Sequence, residues 1–326
     1  MGILLGVLGG GALAASVSGV LHTPNEPAST AAFVSEPSTC SDAPDAPVSV
    51  TESAPRETVA STIADADDDG LLDILFTNQL DESVTVWWGR EGGLPRESVT
   101  LSAGRSGFPV RVGDLDGDSR ADLLVSLQDD AAFTVLSGKG GRAFGEASRI
   151  VQGPGPRNVR LVTMSGALAA LFDTSTHVNV RAVQGGRPWP RHRSPLYLGA
   201  EPFRAFIQRS GAWWVAQGRD PAVAVRLDDA GSPDARVQLS GVPQEADLFT
   251  ADLVAPYGDE EIYTARGDGS VWRLPWDEGG VPCVYMRGLA SAPALVRDGQ
   301  RVWFASSKTC SGCTSNFLFG YANLPQ

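Results

Sequence analysis

The sequence is poor in residues that carry out acid–base chemistry. It has three histidines, His22, His177 and His192, and the first lies in a proline-rich stretch. His177 alternates with apolar residues in a predicted strand, which favours a packed or edge position. Gly-x-Ser-x-Gly, P-loop and His-Glu-x-x-His motifs are absent. No catalytic residue is therefore predicted and an enzyme is disfavoured. A pair of carboxylates for glycoside chemistry leaves no local motif and stays open.

Basic residues are also scarce. Lys and Arg together number 26 against 38 Asp and Glu, so the formal net charge is −12. Lysine occurs only at positions 139 and 308, and the arginines are scattered. Nucleic-acid binding needs clustered positive charge to neutralise phosphates. The composition therefore excludes nucleic acid as a predicted partner.

Long apolar runs are missing everywhere except at the start. The segment Ile3 to Ala15 is mostly apolar, and Ala12-Leu13-Ala14 fits a small-residue cleavage signal. Residues 1–20 are predicted to be a signal peptide or an N-terminal anchor, and no later stretch has transmembrane length. Residues 21–46, rich in Pro, Ser and Ala, are predicted to be a disordered spacer before a domain over 47–326. The expected location is secreted, periplasmic or cell-surface.

The chain has only four cysteines: Cys40, Cys283, Cys310 and Cys313. An even count in an exported chain favours disulfides. Cys310 and Cys313 are candidates for a small-loop bridge, and Cys40 is then available to Cys283, but sequence does not decide the connectivity. Zinc would need two further ligands, and redox chemistry would need a thioredoxin-like surrounding pattern, so both are disfavoured.

Aspartate is concentrated in two nine-residue loops. The stretch Asp65-Ala66-Asp67-Asp68-Asp69-Gly70-Leu71-Leu72-Asp73 recurs 49 residues later as Asp114-Leu115-Asp116-Gly117-Asp118-Ser119-Arg120-Ala121-Asp122. Like charges ~4 Å apart repel by roughly 4 kcal/mol at an effective dielectric of about 20, and a hard cation reverses that sign. Glycine in each loop supplies a tight turn.

The spacing of oxygen donors in these loops predicts two Ca²⁺ sites. The predicted ligands are the side chains at loop positions 1, 3, 5 and 9 and the backbone carbonyl at position 7: Asp65, Asp67, Asp69, Leu71 and Asp73, and Asp114, Asp116, Asp118, Arg120 and Asp122. Magnesium is less favoured because it prefers few carboxylates and several waters. An acidic surface turn without an ion is the alternative interpretation.

The loops do not fit an EF-hand, which needs Glu at position 12 and a helix on each side. Position 12 is Phe76 in the first loop and Val125 in the second. The residues after each loop, Ile74-Leu75-Phe76 and Leu123-Leu124-Val125, are short apolar runs typical of buried strands. The pattern therefore predicts a cation loop that joins two β-strands.

An Asp-x-Asp-x-Asp-Gly-x-x-Asp loop between apolar strands resembles the FG-GAP/VCBS repeats of integrin-α-like β-propellers. Segments 63–93 and 112–142 carry the resemblance, and the second is the closer match. The resemblance implies a propeller fold, calcium in blade loops and an extracytoplasmic location. It implies no particular ligand.

The rest of the domain is predicted to be short strands with turns and no helix. First strands of successive repeats are expected near 58–64, 108–113, 157–163, 203–208, 246–252 and 291–297. Four strands per repeat at this period predict an all-β fold, a β-propeller with six four-stranded blades, or seven as the alternative. Residues 47–51 are predicted to form a strand that closes the ring against the last blade. The strand tryptophans are predicted to be core.

The sequence thus predicts an exported calcium-binding β-propeller that acts as an interaction or scaffolding module. The calcium ions would have a structural role in two blade loops. A carbohydrate-binding lectin and a carbohydrate-active enzyme are the alternatives. The partner is expected to be a protein or glycan of unknown identity, without a membrane span beyond a possible N-terminal anchor.

Overall fold

The structure, a computed structural model, describes residues 38–53, 58–106, 108–151, 155–164, 167–174, 177–182, 196–197, 204–217, 222–228, 233–239, 247–251, 261–265, 269–276, 281–289, 293–308 and 316–325. Regular structure in these residues is β-strand. No helix in this part of the chain is long and apolar enough to cross a membrane. The predicted leader lies outside the described residues.

The first half of the chain begins with a single strand and continues with strands that pair in sequence order. The first strand is β1 (Val48–Ser53). Three four-stranded antiparallel sheets follow: β2 (Thr58–Ala64), β3 (Asp73–Asn78), β4 (Ser83–Arg90) and β5 (Gly93–Ser102); β6 (Arg111–Gly113), β7 (Asp122–Leu127), β8 (Ala132–Leu136) and β9 (Ser148–Val151); β10 (Arg157–Met164), β11 (Ala167–Asp173), β12 (His177–Ala182) and β13 (Leu196–Tyr197).

The second half repeats this pattern. Its sheets are β14 (Arg204–Arg209), β15 (Ala212–Gln217), β16 (Ala222–Leu227) and β17 (Pro233–Leu239); β18 (Asp247–Ala251), β19 (Glu261–Ala265), β20 (Val271–Leu274) and β21 (Cys283–Met286); β22 (Ala294–Asp298), β23 (Arg301–Lys308) and β24 (Asn316–Asn323) with β1. The first strand of each sheet lies where the repeat period predicted it.

The sheets follow one another in a closed circle. Strand β10 contacts β6 and β14, β14 contacts β18, β18 contacts β22, and β22 contacts β2. The first and second sheets are the one neighbouring pair not yet named. They are joined by a hydrogen bond from the Thr62 hydroxyl to the Val110 carbonyl at 2.7 Å. A ring of four-stranded antiparallel sheets with each first strand facing its neighbours is a β-propeller. The predicted all-β propeller fold is confirmed.

The N-terminal strand closes the ring. Strand β1 pairs antiparallel with β24, with Val48 opposite Tyr321 and Ser53 opposite Asn316. It is the outer strand of the last sheet, and the chain then continues into β2 of the first sheet. The prediction of a closing strand at this place is confirmed.

The C-terminal part of the predicted spacer is ordered, contrary to the prediction for residues 21–46. The Cys40 N–H donates to the Val284 carbonyl and the Val284 N–H donates to the Ser38 carbonyl, both at 2.9 Å. The Asp45 N–H donates to the Asn323 carbonyl at 2.8 Å. Composition indicated disorder because it does not show these long-range backbone partners. Residues 38–46, here called the N-terminal arm, therefore belong to the propeller.

The core is divided into clusters that each lie between two consecutive sheets. Successive residues of a strand point to opposite faces. Accordingly Leu75 packs toward the second sheet, whereas Ile74 and Phe76 pack toward the last one. Both faces are buried, and this explains why the strand after each acidic loop is a continuous apolar run.

Tryptophans in strands contribute to these clusters as predicted. Trp88, Trp213, Trp272 and Trp303 are buried. Trp87 is half-buried and packs on Phe319 with ring centroids 5.7 Å apart. The strand tryptophans described here are therefore occupied mainly with packing between sheets.

Candidate metal centre

The two acidic loops occupy the same place in the first two sheets. Each follows the first strand directly, since Asp65 comes after β2 and Asp114 after β6. Each ends at the first residue of the next strand, Asp73 in β3 and Asp122 in β7. The prediction of acidic loops between two β-strands is confirmed.

Carboxylates converge in both loops. In the first loop Asp65, Asp67 and Asp73 each offer an oxygen, and these oxygens lie within 4.8 Å of one another. In the second loop the same holds for Asp114, Asp116 and Asp118. Donor sets made only of carboxylate oxygens suit hard divalent cations. Two aspartate triads could therefore hold metal ions.

The triads differ in membership from the predicted ligand sets. Asp69 is not part of the first convergent group and Asp122 is not part of the second. The position-7 residues, Leu71 and Arg120, donate their N–H groups to Asp69 and Asp118 at 2.9 Å and 3.0 Å. The first triad is mostly buried, whereas Asp116 and Asp118 of the second are exposed.

Each loop is shaped by two residues in the left-handed region. These are loop positions 4 and 6: Asp68 (φ 62°) and Gly70 (φ 83°), and Gly117 (φ 85°) and Ser119 (φ 64°). Each loop thus has glycine at one of the two positions that favour it and a polar residue at the other. The resulting turn directs backbone N–H groups inward, so that Gly70 and Ser119 donate to the position-1 carboxylates at 2.8 Å and 2.9 Å.

The position-9 carboxylates tie the loop to the end of another strand. Asp73 accepts from the N–H of Ala66 and from that of Gly89, both at 2.7 Å. Asp122 accepts from Leu115 and Gly138 in the same way, both at 2.8 Å. Both aspartates are fully buried. Each therefore links its acidic loop to a residue near the end of the third strand, Gly89 inside β4 and Gly138 two residues after β8.

Burial changes the protonation behaviour of these groups. Desolvation raises the pKa of Asp73 to about 7, although its two backbone hydrogen bonds oppose the rise. Desolvation also raises the pKa of Asp122, against the hydrogen bonds from Gly138 and Leu115. Desolvation also raises the pKa of Asp67, and the hydrogen bond that Asp67 accepts from Arg142 opposes this rise. A bound cation would favour the ionised form of all three.

Sequence reasoning missed three participants in this region. Gly89 and Gly138 are 49 residues apart, so the repeat offset could have marked both as matched donors. Arg142, which contacts the first loop from the second sheet, has Gly93 as its counterpart at that offset and so leaves no repeat signal.

One of the candidate disulfides is formed. Cys40 of the N-terminal arm is bonded to Cys283 at the start of β21. Cys310 and Cys313, the other candidates, lie outside the described residues, as does His192. Of the histidines considered for chemistry, His177 begins β12 and pairs with Tyr197 of β13.

Comparison with known families bears on the loops directly. Residues 65–125, which include both acidic loops, match the family model described as an FG-GAP-like repeat. The chain carries an FG-GAP-like repeat. The expected resemblance is therefore confirmed for the two FG-GAP-like loops. No curated protein matches the chain by sequence.

Solved structures share the fold with this FG-GAP-like propeller. A protein of unknown function from Dyadobacter fermentans has a TM-score of 0.59 at 11% identity, covering 84% of this chain and 98% of that one. The α-L-arabinanase of Penicillium chrysogenum has a TM-score of 0.55 at 13% identity, covering 86% and 99%. A luciferin-regenerating enzyme has a TM-score of 0.55 at 9% identity, covering 85% and 96%. At these identities the likeness concerns the fold alone.

Proposed function

We propose that this protein is an extracytoplasmic calcium-binding β-propeller that serves as an interaction or scaffolding module. The observation that carries the proposal is the pair of aspartate triads at the same place in consecutive sheets. Calcium is favoured among hard cations because it accepts several carboxylates in flexible geometry. The ions would have a structural role, since each loop joins the first strand of a blade to the second.

Two further features belong to this proposal. The closed circle of contacts from the first sheet to the last supports six as the number of blades. The Cys40–Cys283 disulfide supports an oxidising compartment, because disulfides persist mainly outside the reducing cytosol. The scaffolding role rests on the absence of a predicted catalytic motif together with a fold that presents loops from several blades.

Thermal unfolding tests the calcium sites. We expect calcium to raise the melting temperature relative to chelator, because it binds the folded loops and offsets carboxylate repulsion. The double variant Asp67→Ala plus Asp116→Ala should lose this rise. Asp81→Ala plus Asp130→Ala removes the same charge from exposed residues in the turns after β3 and β7, and should keep it.

Two results together would contradict the proposal. Calcium would leave the melting temperature of the wild-type protein unchanged, and elemental analysis would find no metal in protein that was never exposed to chelator. The two loops would then be acidic turns held by their internal hydrogen bonds.

A further inference from the structure

The first acidic loop already has a positive charge close to its carboxylates. The Arg142 Nε donates to Asp67 Oδ2 at 3.2 Å, and another guanidinium nitrogen lies 3.9 Å from Asp69 Oδ2. The Asp67 side chain is only 3% exposed, so this ion pair is shielded from water on its acidic side. Arg142 is thus a charged partner of a predicted cation ligand.

This arginine is held in place by the second sheet and not by the loop it contacts. It lies in a short hairpin, residues 138–145, closed by the Gly138–Phe144 bridge and by the Lys139 N–H donating to the Ala143 carbonyl at 2.9 Å. Phe144 stacks on Trp88 of the first sheet at a 7° interplanar angle with centroids 6.3 Å apart. The position of the Arg142 side chain is therefore built into the contact between the two sheets.

Arg142 also has contacts that do not involve the acidic loop. It donates to Glu97 Oε2 at 2.8 Å, and its guanidinium carbon lies 5.5 Å from the centroid of the Trp88 ring. These two partners can keep the guanidinium nearby after its bond to Asp67 is lost. Release from the loop would then require a small movement of the side chain.

The second acidic loop differs in this respect. Among the residues that the structure describes, the ion pair of its triad is within the loop itself, between Arg120 and Asp118 at 3.3 Å. Both of these side chains are exposed. The loops are also in contact, because the Ala121 N–H of the second donates to Asp68 Oδ2 of the first at 2.9 Å.

We propose that Arg142 is a built-in competitor that lowers the affinity of the first acidic loop for a divalent cation. The inference rests on the proposed calcium sites. A cation in the first loop would share the Asp67 carboxylate with Arg142, and two positive groups at this range repel. Binding there therefore displaces the guanidinium toward Glu97 and Trp88, which couples the first site to the hairpin of the second sheet.

Isothermal titration with calcium tests the competition when each site is measured alone. Asp116→Ala removes the second site, and Asp65→Ala plus Asp67→Ala removes the first. In the Asp116→Ala background, Arg142→Gln should raise calcium affinity about tenfold or more, because it deletes the competing charge and leaves Asp67 free. Arg149→Gln is the matched control. Arg149 pairs with exposed Asp130 at 3.3 Å, so this substitution removes the same charge at a place outside the acidic loops. It should change affinity less than about twofold.

A second measurement follows Arg142 itself. In ¹⁵N-labelled wild-type protein, the Arg142 Nε–H resonance is assigned by its loss in Arg142→Gln. It should shift with calcium over the concentrations that fill the first site. It should stay unchanged when Asp65→Ala plus Asp67→Ala leaves only the second site.

The outcomes separate the inference from the proposed function. Calcium binding to the first loop with equal or lower affinity in Arg142→Gln overturns the competitor role and leaves both calcium sites standing. Binding only at the second loop, in wild type and in Arg142→Gln alike, overturns the inference and confines the proposed function to one site. Binding at neither loop in any variant overturns both. A first site that appears only in Arg142→Gln supports the inference most strongly.

Discussion

Asp73 and Asp122 show how one carboxylate can combine a structural and an electrostatic role. Each accepts two backbone N–H groups from different segments, and each is fully buried. The hydrogen bonds favour the ionised form, yet desolvation outweighs them and raises both pKa values. Without a cation, the first loop therefore carries a carboxyl group that titrates near neutral pH.

This residue predicts a pH dependence of stability in chelator. The pKa of Asp73 is about 7 in the folded state and 3.8 ordinarily, so its stabilising contribution is complete below about pH 4. It is lost as the pH rises through 7, by up to about 4 kcal/mol. Urea unfolding from about pH 4 to about pH 7.5 should show this loss in wild type. Asp73→Asn cannot titrate and should show a flatter profile.

The control for that profile is Asp81→Asn, which changes an exposed aspartate outside the loops and should keep the wild-type slope. Parallel profiles for wild type and Asp73→Asn would show that Asp73 does not titrate in this range. Saturating calcium should reduce the wild-type loss, because a cation favours the ionised carboxylate.

At the scale of elements, the repeated unit is a loop with the strands on both sides of it. The loop turns through two left-handed residues, and its last aspartate binds the N–H of Gly89 or Gly138. These glycines also permit close packing. An added Cβ would lie 2.6 Å from the Leu72 carbonyl oxygen at Gly89 and 2.3 Å from the Ala121 carbonyl oxygen at Gly138. Backbone contact at these two positions therefore requires glycine.

Two glycine variants separate backbone conformation from close packing. Gly117→Ala should cost about 1 kcal/mol, since its φ is 85° but nothing lies within 4 Å of the added carbon. Gly138→Ala should cost about 3 kcal/mol or more, because the added carbon meets backbone that cannot move alone. Urea unfolding in chelator measures both. Equal costs, or a larger cost at Gly117, would contradict the packing argument.

At the scale of the whole molecule, the N-terminal arm fastens the ring at two sheets. Its Cys40 is bonded to Cys283 in the fifth sheet of the chain, and its Asp45 N–H donates to Asn323 in the last. Asp42 adds an ion pair with Arg273 at 2.8 Å. Strand β1 then completes the last sheet before the chain enters β2. Ring closure therefore depends on a segment that precedes the first complete sheet.

Removing the disulfide should destabilise the propeller strongly. The bond joins residues 243 apart, and a loop of that length restricts the unfolded chain enough to contribute about 3–5 kcal/mol. Cys40→Ser plus Cys283→Ser should lower the urea midpoint accordingly without reductant. Reductant should lower the wild-type midpoint toward that of the variant. Any shift that reductant causes in the variant measures the contribution of the two remaining cysteines to stability. Equal midpoints for the two proteins without reductant would contradict this role.

Local features of this protein were determined by the sequence alone. The acidic loops, their position between two strands and the first strand of each sheet were predicted correctly, because each depends on residues that are neighbours in the chain. The apolar run after each loop also follows from local pattern, since a strand buried on both faces needs no alternation. The repeat offset could have added Gly89 and Gly138.

Tertiary structure decided what depends on partners distant in the chain. Asp67 and Arg142 are 75 residues apart, and Cys40 and Cys283 are 243 apart. The backbone hydrogen bonds that join the N-terminal arm to Val284 and Asn323 belong to the same class. These contacts exist only when the sheets are packed in a closed ring. A local pattern of carboxylates or prolines therefore does not predict which distant residues will contact it in the folded protein.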